Sequence, residues 1–356
     1  MDYGVQLIIY WLTFYRFGQQ FGEYDNKRST LEKICCGVPQ GSVLGPLRFL
    51  IYINDLPDQC KQTKSVLFAD DTSILANGNN RDCIKSLEDD TKQIDKWFKA
   101  NKLCVNSEKC KLIFFGRSNF QPPLSVFDSI IQYCNEYKYL GLWVDSSLNY
   151  KTHIESVCAK LSRFNGLMYR TRHCFSRKTL LMFYEAYAKP VILYGLLIYG
   201  SSNKSNLEKI FMKQKQIIRT IFHYRKFDTT SKTFLENNIE SVYELYFSLL
   251  IKKCILNHTL GRPQEIVEFR RNAQHSYKTR SKMKGKFNTL RPKTSYGENS
   301  VSKRLSLVYS FLNSNELLPT KKLSIKQAKA YAKKISKNYA YDSNDFHTLI
   351  FNSSPP

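Results

Sequence analysis

SVLFADDTSILA, residues 65–76, sets two short runs of strand formers on either side of an acidic pair. Val66, Leu67, Phe68 and Ala69 precede it, and Ile74, Leu75 and Ala76 follow it. Strand, turn, strand is the reading this pattern supports, with Asp70 and Asp71 at or beside the tip. Adjacent carboxylates repel, so the arrangement costs stability unless solvent or a cation neutralises them. A hard divalent ion that prefers oxygen ligands, such as Mg²⁺, is suited to that. An isolated Asp-Asp pair is equally a solvated turn, so the flanking sequence has to decide.

Upstream, Ile34 to Pro46 (ICCGVPQGSVLGP) is rich in Gly and Pro and has no helical period. Leu47 to Leu56 reads as a short helix with Leu47, Leu50, Ile51 and Asn54 on one side, ended by Pro57. Residues 5–17 are apolar enough for a buried helix, and 18–33 read as a loop or exposed hairpin. Downstream, Ile84, Leu87, Thr91, Ile94 and Phe98 recur at helical spacing behind Asp82, which lies near the cap. A β-hairpin is expected from Leu103–Val105 and Lys111–Phe115 around Asn106 to Lys109, and another strand over Lys138–Val144. Strands mixed with helices point to an α+β domain.

From Lys151 the texture turns helical. Ile154, Val157, Leu161, Phe164 and Met168 form one apolar stripe. A second helix covers about 177–198, bent near Pro190, and a third carries Ile210, Gln214, Ile217 and Ile221 on one side. More helix is expected over 240–258 and over Lys321–Tyr341, with an exposed linker at 270–303.

Charge divides the chain in the same way. Residues 1–150 hold 17 Lys and Arg against 17 Asp and Glu, whereas 151–356 hold 37 against 13, the whole of the net +24. A neutral half joined to a basic half suits a polyanion, with nucleic acid ahead of a membrane surface. The ten cysteines form no CxxC, and Cys254 with His258 gives only half of a zinc spacing. They read as reduced thiols, many of them buried. The N-terminal apolar run lacks a basic flank, and neither it nor Val191–Tyr199 is long enough to span a bilayer. The expectation is an intracellular chain, nuclear or cytoplasmic, neither secreted nor membrane-spanning.

The run GVPQGSVLGPLRFLIYINDLP (Gly37–Pro57), followed directly by LFADDTSILA, resembles the reverse transcriptases of non-LTR retrotransposons, close to the jockey-like group. The likeness continues through WFKANKLCVNSEKCKLIFF (Trp97–Phe115), YLGLWVDSSLNYKTHI (Tyr139–Ile154), PVILYG (Pro190–Gly195) and SFLNSNELLP (Ser310–Pro319).

That resemblance implies a partial polymerase palm over 1–145, an antiparallel sheet with packed helices lacking its first catalytic strand. It further implies a helical thumb-like region over 146–260, then a basic linker and C-terminal helical segment over 261–356. It implies RNA-directed DNA polymerase activity by two-metal nucleotidyl transfer, using Mg²⁺ or Mn²⁺, on an RNA template, a DNA primer and deoxynucleoside triphosphates. Asp70 becomes the main metal ligand and Asp71 the auxiliary one. Pro39, Gln40, Gly41, Ser42, Phe68 and Ala69 fall beside nucleotide and template. Lys109 occupies the place of a general-acid lysine, with Lys111 the neighbouring alternative. Tyr139, Leu140 and Gly141 resemble a primer grip. Arg163, Arg170, Arg172, Lys213, Lys215 and Arg219 are candidates for contacts to the nucleic-acid backbone, and Arg177 and Lys178 are added on the same ground.

The family also carries a metal-binding Asp on a strand upstream of the segment that Tyr3-Gly4-Val5 and Trp11 to Tyr15 resemble, so Asp2 is not that ligand. The expectation is a metal site left open on one side, with little or no polymerase activity from the chain alone. The alternative is a catalytically dead nucleic-acid-binding remnant of a mobile element.

Overall fold

The structure is a computed structural model that describes residues 19–20, 22–25, 27–33, 43–115, 123–127, 129–259, 300–319 and 323–339. Among these, the chain divides into two compact units, the first ending at Tyr133 and the second dominated by everything from Cys134 onward. The expected helix at 5–17, the PQG residues, most of the 270–303 linker and Cys35 and Cys36 lie outside the described residues.

In the first unit, strands β1 (Gln19–Gln20), β2 (Glu23–Tyr24), β3 (Lys27–Arg28) and β4 (Glu32–Lys33) pair as β1 with β4 and β2 with β3, the hairpin expected over 18–33. Helix α1 spans Gly45–Tyr52, and a 3-10 turn follows at Leu56–Gln59. The helix thus stops before the expected Leu56, and Pro57 sits inside the turn. Its expected packing side is exposed at Leu47, Leu50 and Ile51, while the chain beyond it buries Ile53 and Leu56.

Strands β5 (Lys64–Phe68) and β6 (Asp71–Leu75) form the hairpin read from the sequence, with Phe68 opposite Asp71. Helix α2 (Asn80–Ala100) follows, and the apolar positions Ile84, Leu87 and Ile94 are buried as their spacing requires. Ile53, Leu56, Ile94 and Trp97 make the core of this unit, and Leu67 and Ile74 pack on it from the hairpin.

The hairpin expected over Leu103–Phe115 does not form. Asn106 Oδ1 accepts the Lys109 amide and closes a 3-10 turn at Ser107–Lys109, and Leu112 makes only an isolated bridge to Tyr133. A side chain that offers the backbone a local partner competes with strand pairing. Strands β7 (Leu124–Val126) and β8 (Ser129–Ile131) pair with each other.

In the second unit, KYLGLWV is two strands rather than one. Strand β9 (Glu136–Tyr139) turns at Leu140-Gly141 into β10 (Leu142–Asp145). The described strands therefore form five separate antiparallel pairs, not one sheet. Helices carry the rest: α3 (Lys151–Thr171), α4 (Arg177–Phe183), α5 (Lys189–Leu193), α6 (Leu196–Tyr199), α7 (Lys204–Ile221), α8 (Ser231–Glu236), α9 (Val242–Thr259), α10 (Val301–Ser314) and α11 (Ile325–Tyr339).

All five residues of the Ile154–Met168 stripe are buried on α3, which packs along α7. The bend expected near Pro190 is a π-helical turn at Tyr184–Ala188 immediately before α5, and a second break follows at Gly195. Gln214 sits fully buried on α7 yet is satisfied. Its Nε2 donates to Tyr184 Oη and to the Glu240 carbonyl, each at 2.7 Å, and its Oε1 accepts the Val242 amide at 2.9 Å. Such a network specifies how three segments meet. Helix α10, absent from the sequence reading, buries Leu305, Val308, Tyr309 and Leu312 behind a Ser300 cap. No described helix is long and apolar enough to cross a membrane. Of the eight described cysteines only Cys254 is buried, fewer than expected.

Candidate active site and nucleic-acid interface

The β5–β6 hairpin turns in two residues, Ala69 and Asp70, and Ala69 adopts a φ of 51°. Two-residue hairpins need a positive φ to match the twist of their strands, which Ala tolerates less readily than Gly. Register then decides direction. Leu67 and Ile74 face the core, so Phe68 and its partner Asp71 face the other way, and Phe68 is 61% exposed. Asp70 at the tip and Asp71 at the first position of β6 are both exposed.

The hairpin is held from its base. Asp90, buried on α2, accepts the amides of Lys61, Gln62 and Thr63 at 3.1, 3.0 and 2.8 Å and the Thr63 hydroxyl at 2.7 Å, fixing the segment that enters β5. Burial pushes its carboxyl pKa up, but these hydrogen bonds more than offset that, and the net shift is downward. Trp97 Nε1 also donates to Asp55 Oδ2 at 3.1 Å, tying α2 to the turn after α1.

Among the described residues, no group of three or more His, Cys, Asp or Glu side chains is placed to hold a metal ion. Asp70 and Asp71 are two hard oxygen donors on an exposed tip. In kind, they suit a divalent ion that keeps water and substrate phosphates in its remaining positions. Lys109 is exposed in the 3-10 turn that Asn106 caps, and that turn is tied to β8 by the Ser129 hydroxyl donating to Ser107 Oγ at 3.2 Å. Lys111 is likewise exposed. Pro39, Gln40, Gly41 and Ser42 lie outside the described residues.

In the second unit, the β9–β10 turn is pinned. Leu140 and Gly141 both have positive φ, 45° and 83°. The Tyr194 hydroxyl donates to the Leu140 carbonyl, and a Cβ on Gly141 would lie 3.1 Å from that hydroxyl. Gly195, with a φ of 74°, admits Leu142 so closely that an added Cβ would sit 2.6 Å from its Cδ2. Below the turn, Asp145 accepts the amides of Ser147, Asn149 and Tyr150 and the Ser147 hydroxyl. This folds the link into α3 through left-handed Leu148 and Tyr150. Burial raises the Asp145 pKa and these bonds lower it more, for a net downward shift. Tyr139, Leu140 and Gly141 are thus held together with a residue, Tyr194, that the sequence reading passed over. The adjacent Tyr-Gly at the end of PVILYG is the signal that marks it.

Six basic candidates lie on the α3–α7 helix pair. Arg163 and Arg170 are exposed on α3, and the Arg172 guanidinium at its C-terminus lies 4.2 Å from the Tyr169 ring centroid. On α7, the Lys215 ammonium stands 4.1 Å over the Phe211 ring, and Arg219 Nε donates to the Asp228 carbonyl at 3.0 Å. Lys213 is half-buried beside them and acts electrostatically on Cys158 of α3. Aromatic rings beneath guanidinium and ammonium groups hold them in place at the surface.

Residues 4–144 match the family model for reverse transcriptase (RNA-dependent DNA polymerase). The chain is 30% identical over 210 residues to the RNA-directed DNA polymerase from mobile element jockey of Drosophila melanogaster, covering 55% of this chain and 23% of that protein. It is 28% identical over 218 residues to the probable RNA-directed DNA polymerase from transposon X-element of the same species, covering 58% and 24%. It is 23% identical over 216 residues to the Pol polyprotein of type-1 retrotransposable element R1 of Bradysia coprophila, covering 58% and 21%. The chain therefore spans about a quarter of the length of the curated relatives it matches. No solved structure gives a significant match. The reverse transcriptase match includes the β5–β6 hairpin and continues through most of β10.

Proposed function

We propose that this chain carries the acidic hairpin and the helical nucleic-acid-binding part of a non-LTR retrotransposon reverse transcriptase. Residues 1–145 are the palm portion and the helices from 146 to 260 the thumb portion, with 261–356 a basic linker and C-terminal helical segment. The observation that carries the proposal is the FADD hairpin itself. It is anchored at its base by Asp90 and open at its tip, inside the span that matches the family model.

Asp70 would be the main metal ligand and Asp71 the auxiliary one. A bound Mg²⁺ or Mn²⁺ pair would stabilise the attacking and leaving oxygens of nucleotidyl transfer. The chain's own residues do the remaining work. The positive-φ turn at Ala69 projects the carboxylates beyond the core, and Phe68, exposed beside Asp71, offers an apolar surface to a nucleotide. Lys109 is the candidate proton donor to the departing pyrophosphate, with Lys111 beside it. The Tyr139–Gly141 turn, held by Tyr194, would position the primer end. Pro39, Gln40, Gly41 and Ser42 would line the template side. An RNA template, a DNA primer and deoxynucleoside triphosphates are the proposed substrates, and the site of action is intracellular.

Two adjacent carboxylates from one turn cannot by themselves enclose two ions, so the chain alone is expected to support little or no synthesis. Primer extension on an RNA template with Mg²⁺ or Mn²⁺ tests this. Robust synthesis that Asp70→Ala abolishes would overturn the open-site reading while upholding the polymerase. The second reading, a nucleic-acid-binding remnant without catalysis, is favoured by the guanidinium and ammonium groups fixed on aromatic rings along α3 and α7. It expects salt-sensitive RNA or DNA binding that Asp70→Ala leaves unchanged.

A further inference from the structure

Two long helices of the second unit end in basic segments that meet. Helix α3 closes at Thr171 with Arg172-His173 after it, and α7 closes at Ile221 with Phe222-His223 after it. The imidazoles of His173 and His223 approach to 5.5 Å between centroids at 51°. Arg172, its guanidinium over Tyr169, donates from Nε to His173 Nε2 at 3.5 Å. At the start of α4, the Arg177 guanidinium lies 4.9 Å from the centroid of the buried Phe222 ring. His173, Arg177 and His223 are exposed and Arg172 is half-buried, so a ligand can reach all four.

The charges that act on His223 are those of Arg172, His173 and Arg177, all basic. Partial loss of solvent around the ring contributes most, and with these charges it holds the His223 pKa below the ordinary histidine value. In the segment after α7, Arg225 and Lys226 add more positive charge. Asp228, the exposed carboxylate there, accepts the Arg225 amide at 2.7 Å. Helix C-termini favour cations, which accounts for the guanidiniums. It does not account for two exposed imidazoles set against each other between them. A phosphate accounts for both: it accepts forked hydrogen bonds from guanidinium and from protonated imidazole.

We propose that Arg172, His173, Arg177 and His223 form a binding site for a backbone phosphate of nucleic acid, and that His223 takes up a proton from solvent as the phosphate enters. The site rests on the nucleic-acid reading of the basic helical unit and adds to it a proton-linked contact at a defined place. Exposed aromatic side chains around it, Tyr169 and Phe175, give an adjoining strand surfaces for base stacking.

The test uses the full chain and a fluorescently labelled oligonucleotide, as a single strand and as an RNA–DNA hybrid, between pH 8 and pH 6. Affinity of the unsubstituted protein should rise about three- to tenfold as pH falls across the histidine range. The pair His173→Gln with His223→Gln should lose that rise. At pH 6 its salt slope should be shallower by about one to two. Both histidines are exposed, so the pair should fold normally. As a second measurement, the His223 proton resonances should titrate at higher pH when inorganic phosphate or the oligonucleotide is added. If the unsubstituted protein binds no nucleic acid at any salt concentration, the nucleic-acid reading falls and the site with it. If it binds with a pH dependence that the double variant retains, or if the His223 titration ignores both phosphate probes, this site alone is overturned.

Discussion

The β5–β6 and β9–β10 hairpins are built alike and held differently. Each reverses in two residues, and each starts its turn with a non-glycine residue at positive φ, Ala69 in one and Leu140 in the other. The β5–β6 hairpin is gripped only at its entry, through Asp90, and along one face, through Leu67 and Ile74. Its tip carries two carboxylates and nothing described restrains them. The β9–β10 hairpin is gripped at its turn by Tyr194, at its first β10 residue by Gly195 and at its exit by Asp145. Its turn carries no acidic residue. Chemistry at a tip needs space for substrate and ions, whereas placing another molecule's end needs a fixed surface. Under the proposed function, the contrast separates a reacting hairpin from a positioning one.

The substitution with the largest expected effect is Asp70→Ala. In a polymerase assembly that supports Mg²⁺-dependent synthesis, it should lower the incorporation rate by more than about a hundredfold. It should leave the thermal midpoint nearly unchanged, because an exposed tip contributes little to stability. A matching loss of stability would mean the tip is structural, like the turn of β9–β10.

The helical unit should weaken with acid before the first unit does. His153 is buried on α3 against the Tyr199 ring, and neither ring nitrogen has a hydrogen-bond partner. Burial first, and Lys160 second, push its pKa down to about 4. The folded state therefore binds this proton less readily than the unfolded chain. The stability it confers is complete above about pH 6.5 and declines as pH falls toward 4, by roughly 3 kcal/mol at the lower end. Urea unfolding across that range should show the decline, and His153→Phe should flatten it.

Gly195→Ala should cost about 2–4 kcal/mol in urea unfolding, since it combines an overlap with Leu142 and a left-handed backbone. The effect should appear as loss of amide protection in β9–β10. Asp90→Asn should cost about 2 kcal/mol and act on β5–β6. Because the folded pKa of Asp90 is lowered, its contribution is present above the usual carboxylate range and disappears as pH falls through it. Asn should remove that acid-sensitive part. Tyr194→Phe is the mildest, about 1 kcal/mol, read as faster exchange of the amides around Leu140. If Tyr194→Phe left that exchange unchanged, the turn would not depend on the hydroxyl and the contrast between the hairpins would lose its main support.

Periodicity made the long elements readable. The Ile84–Phe98 and Ile154–Met168 stripes repeat over several turns, and a wrong phase would bury charge. The acidic hairpin was readable because apolar runs bracket a polar turn. The β9–β10 turn was hidden because Leu140-Gly141 interrupts its apolar run with no polar residue. The false hairpin at 103–115 came from reading Asn106 to Lys109 as a strand connection, when Asn106 closes a local turn instead. Helix α10 was masked by the lysines and serines around Leu305, Val308 and Leu312, though their spacing of three and four marks a helical face. Of the candidate site, the exposed turn position of Asp70 and Asp71 was legible. Asp90, Asp145 and Tyr194 were not, since each acts on backbone groups far from it in sequence or through a turn that composition does not announce.

The π-helical turn at Tyr184–Ala188 bears on how this region tolerates changes in length. A turn closed by i to i+5 hydrogen bonds takes in one residue more than an α-helical turn, without rotating the helix beyond it. Glu185, Ala186 and Tyr187 are exposed there, while Tyr184 and Ala188 are buried on either side. A chain one residue shorter across 185–187 would close an ordinary α-turn and still deliver Ile192 to the core and Tyr194 to the Leu140 carbonyl. The same deletion inside α3 would turn its whole apolar stripe by about 100° and expose it. Homologous chains should therefore gain or lose single residues at this turn and keep α3 constant in length.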